Sequence, residues 1–508
     1  MATRSLPDRP STADRNRERR LPRRLKRSAI FIHRWMGAVF CLPFAWWFVT
    51  GMFMMYWDYP EVREADRLER AQALDGSRVR LTPHEALARL DAGQVPRSVQ
   101  LLMFDGRPVY RFEFGYGDQR LVHADDGTEI AEFPPELLRR VAEQWTGQAG
   151  ARFEGVLKAE DQWTVAGSFR ALRPLWKYSW PDGQEVYVSE VTGAVEQYTT
   201  RGSRVGAYFG AIPHWLYFTP LRKNGRLWSR VVIAASALAS VAAVFGLMVG
   251  IWMYAPGRGV PYKGQKRLHM IFGLFFGVIA CTWAFSGMLS MEPFPIEGRS
   301  GENAGRIAAA LRGKRPGLEA FDAKPPRQAL AETSRVKELE LTSFAGEPVY
   351  LAKQGTLRSH VIPVRGATME EFDWRQMAGA VRMAAPVAEA RLLSEYDAYY
   401  LDRRRERPLP VLLLRLNDAE STRYYVDTHT AQVVGGYSSD AWVSRWLYHG
   451  LHSINLPWLY RNRPAWDIVV LALLAGGATL SATAITLAWR LLRRKLVSFP
   501  DSLGAHEK

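Results

Sequence analysis

Residues 26–57 read KRSAIFIHRWMGAVFCLPFAWWFVTGMFMMYW, and residues 266–291 read KRLHMIFGLFFGVIACTWAFSGMLSM. Both stretches open with Lys-Arg and place a histidine (His33, His269) at the start of an apolar run. Both put a glycine four positions later (Gly37, Gly273) and reach Gly-Met (Gly51-Met52, Gly287-Met288) in the same register at the far end. Each run is long enough for the roughly 20 residues that cross a hydrocarbon core of about 30 Å. A register kept over a whole crossing, twice, reads as duplication of one unit.

Two further apolar runs, Val231–Tyr254 and Ile468–Trp489, have matching approaches. His214 precedes Trp228 by fourteen residues and His452 precedes Trp466 by fourteen, through PHWLYFTPLRKNGRLW and LHSINLPWLYRNRPAW. The expected fold class is therefore membrane α-helical: four transmembrane helices in two tandem parallel repeats. Such repeats place equivalent residues around a pseudo-two-fold axis along the membrane normal. Mean hydropathy is only −0.18 because long polar segments dilute the apolar ones.

Lys and Arg in short flanks mark the cytoplasmic side. Residues 1–28 carry ten basic and three acidic groups, the link 255–267 has Arg258, Lys263, Lys266 and Arg267 without an acid, and the tail holds Arg490, Arg493, Arg494 and Lys495. The predicted plan is a basic N-terminus (1–28), spans at 29–57, 229–254, 268–291 and 466–491, an inner link (255–267) and an inner tail (492–508). Segments 58–212 and 292–445 lie outside, each followed by an interfacial stretch (213–228, 446–465). The net charge of +16 sits largely in these flanks, where anionic lipid accounts for it, so nucleic acid is not an expected partner. The first span lacks a small-x-small cleavage site and is expected to stay as an anchor. Cys41 and Cys281 fall in different spans, which excludes a disulfide framework or C-x-x-C chemistry.

The outer segments contain alternating strand patterns around turn residues, as in PVYRFEFGYGDQRLVHADDGTEIAEF, QEVYVSEVTGAVEQYTT, EPVYLAKQGTLRSHVIPVRGATMEEF and STRYYVDTHTAQVVGGYSS. Short amphipathic helices are expected at Pro83–Leu90, Pro135–Gln144 and Trp374–Ala384. This predicts small α+β modules, two per outer loop. VYVSEVTGAVEQY and YYVDTHTAQVVGGY resemble the PepSY module, and HRWMG at the first span with LHSINLP before the last resembles the PepSY-associated transmembrane family, over about residues 25 to 495.

Ionisable side chains at membrane depth are costly and are usually functional. His33 with His269 near the inner face, and His214 with His452 near the outer face, form two symmetry-related pairs. Neutral imidazole is an axial ligand for haem iron, and bundle interiors are where side chains of facing helices build cofactor sites. Two bis-histidine sites for haem b are therefore expected. Gly37 and Gly273 would let a flat macrocycle approach the backbone, and Arg34 and Arg267 could pair with its carboxylates. His449, one turn before His452, is the alternative outer ligand, but its counterpart is Ala211, so symmetry favours His452. Met52 and Met288 are read as packing residues, and His84, His123, His360 and His429 as surface residues.

Two centres stacked across a bilayer make an electron route. No strand–G-x-G-x-x-G–helix unit is present, so the donor is expected to be an external cytoplasmic reductase or a quinol. The family resemblance implies a bacterial inner-membrane protein that reduces ferric siderophores or other ferric complexes in the periplasm. It also implies an alternative, a membrane-anchored PepSY protein that binds or regulates a peptidase without redox activity. A transporter is disfavoured by the scarcity of Asp, Glu and Lys within the spans, Asp467 being the nearest acid.

Overall fold

The computed structural model describes residues 12–90, 93–115, 118–254, 259–293 and 300–497. The first eleven residues, Arg258 and the tail from 498, including His506, lie outside the described residues, and with them part of the charge pattern used for orientation.

Four helices dominate: Thr12–Met54, Gly225–Met253, Gln265–Leu289 and Ala465–Val497. The portions Arg24–Met54, Gly225–Met253, Gln265–Leu289 and Ala465–Arg494 are long and apolar enough to cross a membrane. Their apolar residues run all round the helix, and Val39, Phe275 and Ile468 stay exposed on the outer faces, where lipid is the natural solvent. The chain enters the second helix through Asn224, whose side chain accepts from Leu227 N–H at 3.0 Å.

The helices pack in a ring, first against second, second against third, third against fourth, and fourth against first. The first and third are therefore diagonal. Tight packing relies on small residues, as is usual where lipid removes the hydrophobic drive between helices. A Cβ on Gly477 would lie 2.4 Å from the Phe48 ring, and one on Gly476 would lie 2.2 Å from Phe276. The fourth helix thus takes up both rings at adjacent glycines.

Outside the bundle the described residues form three antiparallel sheets. The first loop contributes β1 (Ser98–Phe104), β2 (Arg107–Gly115), β3 (Asp118–His123), β4 (Glu129–Ile130), β5 (Arg152–Leu157), β6 (Leu175–Ser179), β7 (Glu185–Ser189) and β8 (Val195–Thr199). The second contributes β9 (Glu338–Phe344), β10 (Glu347–Gly355), β11 (Arg358–Pro363), β12 (Val387–Leu393), β13 (Val411–Leu416), β14 (Arg423–Asp427) and β15 (Val433–Tyr437). Strands β5 to β8 and β12 to β15 form two four-stranded sheets, packed against helices Pro135–Thr146 and Trp374–Ala384 respectively.

The remaining strands do not stay within their loops. They join in one seven-stranded sheet of order β11-β10-β9-β1-β2-β3-β4. Its central seam pairs Val99 with Leu341, Gln100 with Glu340 and Leu101 with Leu339. Aligning FDGRPVY (104–110) with FAGEPVY (344–350) makes Val99 the counterpart of Leu339 and Leu101 that of Leu341. Each residue therefore pairs across the seam as in an isologous contact, and Gln100 faces its own counterpart. A single core of Val99, Leu101, Tyr110, Leu339, Leu341 and Tyr350 runs under both loops. Reading each loop alone carries no signal of this pairing.

One expectation is corrected here. Of the four histidines read as surface residues, His84 is exposed, but His123, His360 and His429 are half-buried. They lie on or beside strands whose neighbours cover them, and His429 faces Asp427 at 3.2 Å.

Candidate functional site

The ring puts the first and third helices diagonally across the bundle, and the histidines of these two helices meet there. The ring centroids of His33 and His269 are 6.2 Å apart with planes at 27°. At the outer end His214, on the short helix Ala211–Trp215, and His452, just past the π-helical turn Val443–Gly450, also have centroids 6.2 Å apart, with planes at 70°. The four residues named from sequence come together in the two pairs expected.

That separation carries chemical information. Two imidazoles binding one metal through nitrogen at about 2 Å each have centroids roughly 6.3 Å apart. Van der Waals stacking of rings would be closer, and a direct hydrogen bond between rings would leave no room for an ion.

The rings are held by their other nitrogen. His214 Nδ1 lies 3.0 Å from Thr50 Oγ1, His452 Nδ1 3.0 Å from Ser286 Oγ, and His269 Nδ1 3.0 Å from Thr483 Oγ1. Each hydroxyl donates its own proton to a carbonyl one turn back: Trp46 O for Thr50, Trp283 O for Ser286 and Leu480 O for Thr483. The hydroxyl oxygen is thereby left to accept from Nδ1–H, which fixes the tautomer with the Nε2 lone pair free. Among the described residues Nε2 of all four histidines has no hydrogen-bond partner. Outer-shell orientation of this kind is what a metal-binding imidazole requires.

His33 is the exception. Its Nδ1 is buried and has no side-chain hydroxyl to bond to. Aligning Trp228 with Trp466 makes Ala242 the counterpart of Leu480 and puts Phe245 where Thr483 stands, so the first half lacks the hydroxyl. The second helix holds this ring by contact instead: a Cβ on Gly246 would lie 2.9 Å from His33 Cε1.

The outer histidines depend on the segments that carry them. Trp228 Nε1 donates to Trp215 O at 2.8 Å, and Trp466 Nε1 donates to Ser453 O at 3.3 Å and Ile454 O at 3.1 Å. In both halves the indole thus ties down the residue directly after the histidine, which gives the fourteen-residue spacing a physical meaning. One position further on, Leu216 (φ 55°) and Ile454 (φ 47°) are both left-handed, a conformation that is rare for bulky residues. The backbone turns sharply there and sends the histidine back into the bundle. Gly51 and Gly287 make room for the returning rings, since their Cβ positions would lie 3.7 Å from His214 Cε1 and 3.5 Å from His452 Cε1.

A cavity of about 460 Å³ surrounds the outer pair, walled by Phe44, Trp47, Phe48, Trp283 and Tyr448 among others. His449 also reaches this cavity, but it is His452 that pairs with His214. Gly37 faces open space with nothing within 4 Å of a Cβ, and Gly273 meets only Leu480 at 3.8 Å. Gly37 is therefore not used for close helix packing, and Gly273 makes only an ordinary contact with the fourth helix. Arg34 and Arg267 are exposed at the inner rim beside their histidines. Asp467 is bound to Arg463.

Sequence reasoning missed Thr50, Ser286, Thr483 and Gly246. The first two were within reach: extending the Gly51-Met52 and Gly287-Met288 match by one residue gives Thr-Gly-Met and Ser-Gly-Met. Among the described residues there is no cluster of three or more His, Cys, Asp or Glu able to hold a bare ion. Two imidazoles alone suit a metal that brings its own equatorial ligands. Compared with known proteins, the chain matches no protein-family model and no curated protein.

Proposed function

We propose that this chain is a transmembrane electron-transfer protein that binds two b-type haems, one between His33 and His269 and one between His214 and His452. The observation that carries this reading is the 6.2 Å centroid separation, found twice, at the spacing two imidazoles adopt on a shared metal. The donor set fits the group: a porphyrin completes the coordination that the protein's two nitrogens leave open, and the outer pair lines a cavity.

When bound, haem supplies a one-electron couple at each level of the membrane. The protein's own residues do the rest. Thr50, Ser286 and Thr483 hold their histidines in the ligating tautomer, and Gly246 with the second helix wedges His33 in place. Phe44, Phe48, Trp47 and Trp283 give the outer cavity an apolar wall. Arg34 and Arg267 are placed to neutralise carboxylates at the inner rim.

The same reading takes the two halves as tandem parallel repeats of a PepSY-associated transmembrane unit, with PepSY-like outer modules. Lys263, Lys266 and Arg267 of the link and Arg490, Arg493 and Arg494 of the tail support a cytoplasmic position for both, and the reading takes the membrane as a bacterial inner membrane. Electrons enter from a quinol or a cytoplasmic reductase and leave to a ferric complex in the periplasm. The test is a reduced-minus-oxidised absorption spectrum of the purified chain with haem counted per polypeptide. Two low-spin b-type haems are expected, and a spectrum without them overturns the assignment.

A further inference from the structure

A second cavity, of about 700 Å³, opens in the outer region and contains none of the four paired histidines. It lies between the β10–β11 hairpin, the segment from Ser394 to Leu409, the turn that follows β14, and Arg461. Two places join it to the histidine cavity. Arg403 and Tyr460 line the histidine cavity, while Arg405 and Arg461, two and one residues further along the same segments, line this one. The two cavities therefore share a wall.

The charges in this cavity divide unevenly. Each of its four carboxylates is already engaged: Glu64 with Lys353 at 3.2 Å, Glu395 with Arg461 at 3.8 Å, Glu406 with Arg63 at 2.6 Å, and Asp427 with His429 at 3.2 Å. Lys353 is shared further with Glu338 and Glu340. Arg405 and Arg407 are left. Among the described residues neither has a carboxylate within ion-pair distance, and the Arg407 guanidinium lies 5.4 Å from the Tyr400 ring centroid, stacked on an aromatic rather than neutralised. Arg405 is also held at φ 57°, a conformation that a non-glycine residue keeps only where its surroundings impose it.

We infer that this cavity binds an anionic, carboxylate-bearing small complex, with Arg405 and Arg407 as its fork-shaped donors. The inference rests on the electron-transfer reading for its purpose, since the shared wall makes a ligand here the acceptor for the outer centre. Reduction consumes one electron per ferric ion and leaves ferrous iron. One quinol oxidised to quinone on the donor side, with release of two protons, serves two such ions.

The test uses the full-length chain in detergent and gallium citrate, a redox-inert anionic complex, measured by isothermal titration calorimetry. Wild type is expected to bind it, and Arg405→Ala/Arg407→Ala to bind at least ten-fold more weakly, with the haem spectrum and thermal unfolding unchanged. Arg405→Lys/Arg407→Lys should recover part of the loss, and Arg139→Ala, which removes one exposed charge elsewhere, should bind as wild type. Failure of wild type to bind, equal binding by the double alanine variant, or equal weakening in Arg139→Ala overturns the site. Because the probe takes no electrons, binding without a haem spectrum breaks the electron-transfer reading alone, and a haem spectrum without binding breaks this site alone.

Discussion

The inner and outer histidine pairs have the same centroid separation but are built by different means. His33 and His269 project from long helices whose packing, with Thr483 holding the His269 ring, brings them face to face, and their planes lie within 27° of each other. His214 and His452 sit on short segments outside the spans, with planes at 70°. There the geometry comes from a hydroxyl on the neighbouring helix, an indole gripping the next carbonyl and a left-handed residue that turns the chain back. A rigid helix sets a side chain by its register. A short segment needs every one of its backbone groups pinned, so the outer site should be the more sensitive to changes that do not touch a ligand.

The largest expected effect is loss of a ligand, which breaks the two levels apart. His33→Ala or His269→Ala should abolish the inner haem and keep the outer one, halving haem per chain. His214→Ala or His452→Ala should do the reverse. Ring planes at different angles split the iron d orbitals differently, so electron paramagnetic resonance of the oxidised protein should resolve two low-spin signals and show which of them each variant loses. His449→Ala should leave both. If it removes the outer signal, His449 is the ligand and the pairing with His214 is wrong.

Next in size are the indoles. Trp228→Phe and Trp466→Phe keep an aromatic ring but delete the N–H, leaving a carbonyl next to the histidine unpaired, at a cost of about 2 kcal/mol each. Outer-haem retention after gel filtration should fall in both variants while the inner signal stays at full strength. Equal loss at both levels would mean that these residues support the bundle generally and not the outer pair.

The spans, the four histidines and their pairing were legible because they rest on strong local signals: about 20 apolar residues in a row and a register repeated across a whole crossing. The strand patterns were legible for the same reason, and helix Trp374–Ala384 falls on its expected limits. The β1–β9 seam was not, because pairing between segments some 240 positions apart depends on two edges meeting in space, and alternation within each strand is the same whether or not they meet. Thr483 was equally hidden. Serine and threonine in a membrane helix usually bond their own preceding turn, as Thr479 does to Ala475 O at 2.8 Å, and nothing in the sequence distinguishes the one that also receives an imidazole.

Thr483 also sharpens the contrast within the inner pair. Thr483→Val removes the acceptor from His269 and gives it the environment His33 already has beside Phe245, so the expected cost is only about 1 kcal/mol. The inner haem should remain bound but be lost faster to apomyoglobin as a haem scavenger, with the outer rate unchanged. No change in rate would show that contact with the neighbouring helix is enough for both inner rings.

The smallest effect concerns the two left-handed residues and should be a gain. A bulky residue in this region carries a penalty of roughly 1–2 kcal/mol, which glycine escapes. Glycine also gives the unfolded chain more freedom, and that offsets about 0.4–1 kcal/mol. Leu216→Gly should therefore stabilise the protein by about 0.5–1 kcal/mol, seen as a small rise in the midpoint of thermal unfolding. The gain should be smaller for Ile454→Gly, because the Ile454 side chain packs against the cluster of Phe48, Leu459 and Trp466 and the variant gives up that contact. Should both variants instead lower the midpoint and loosen the outer haem, the side chains of these residues, and not only the turn they make, would be what holds His214 and His452 against the bundle.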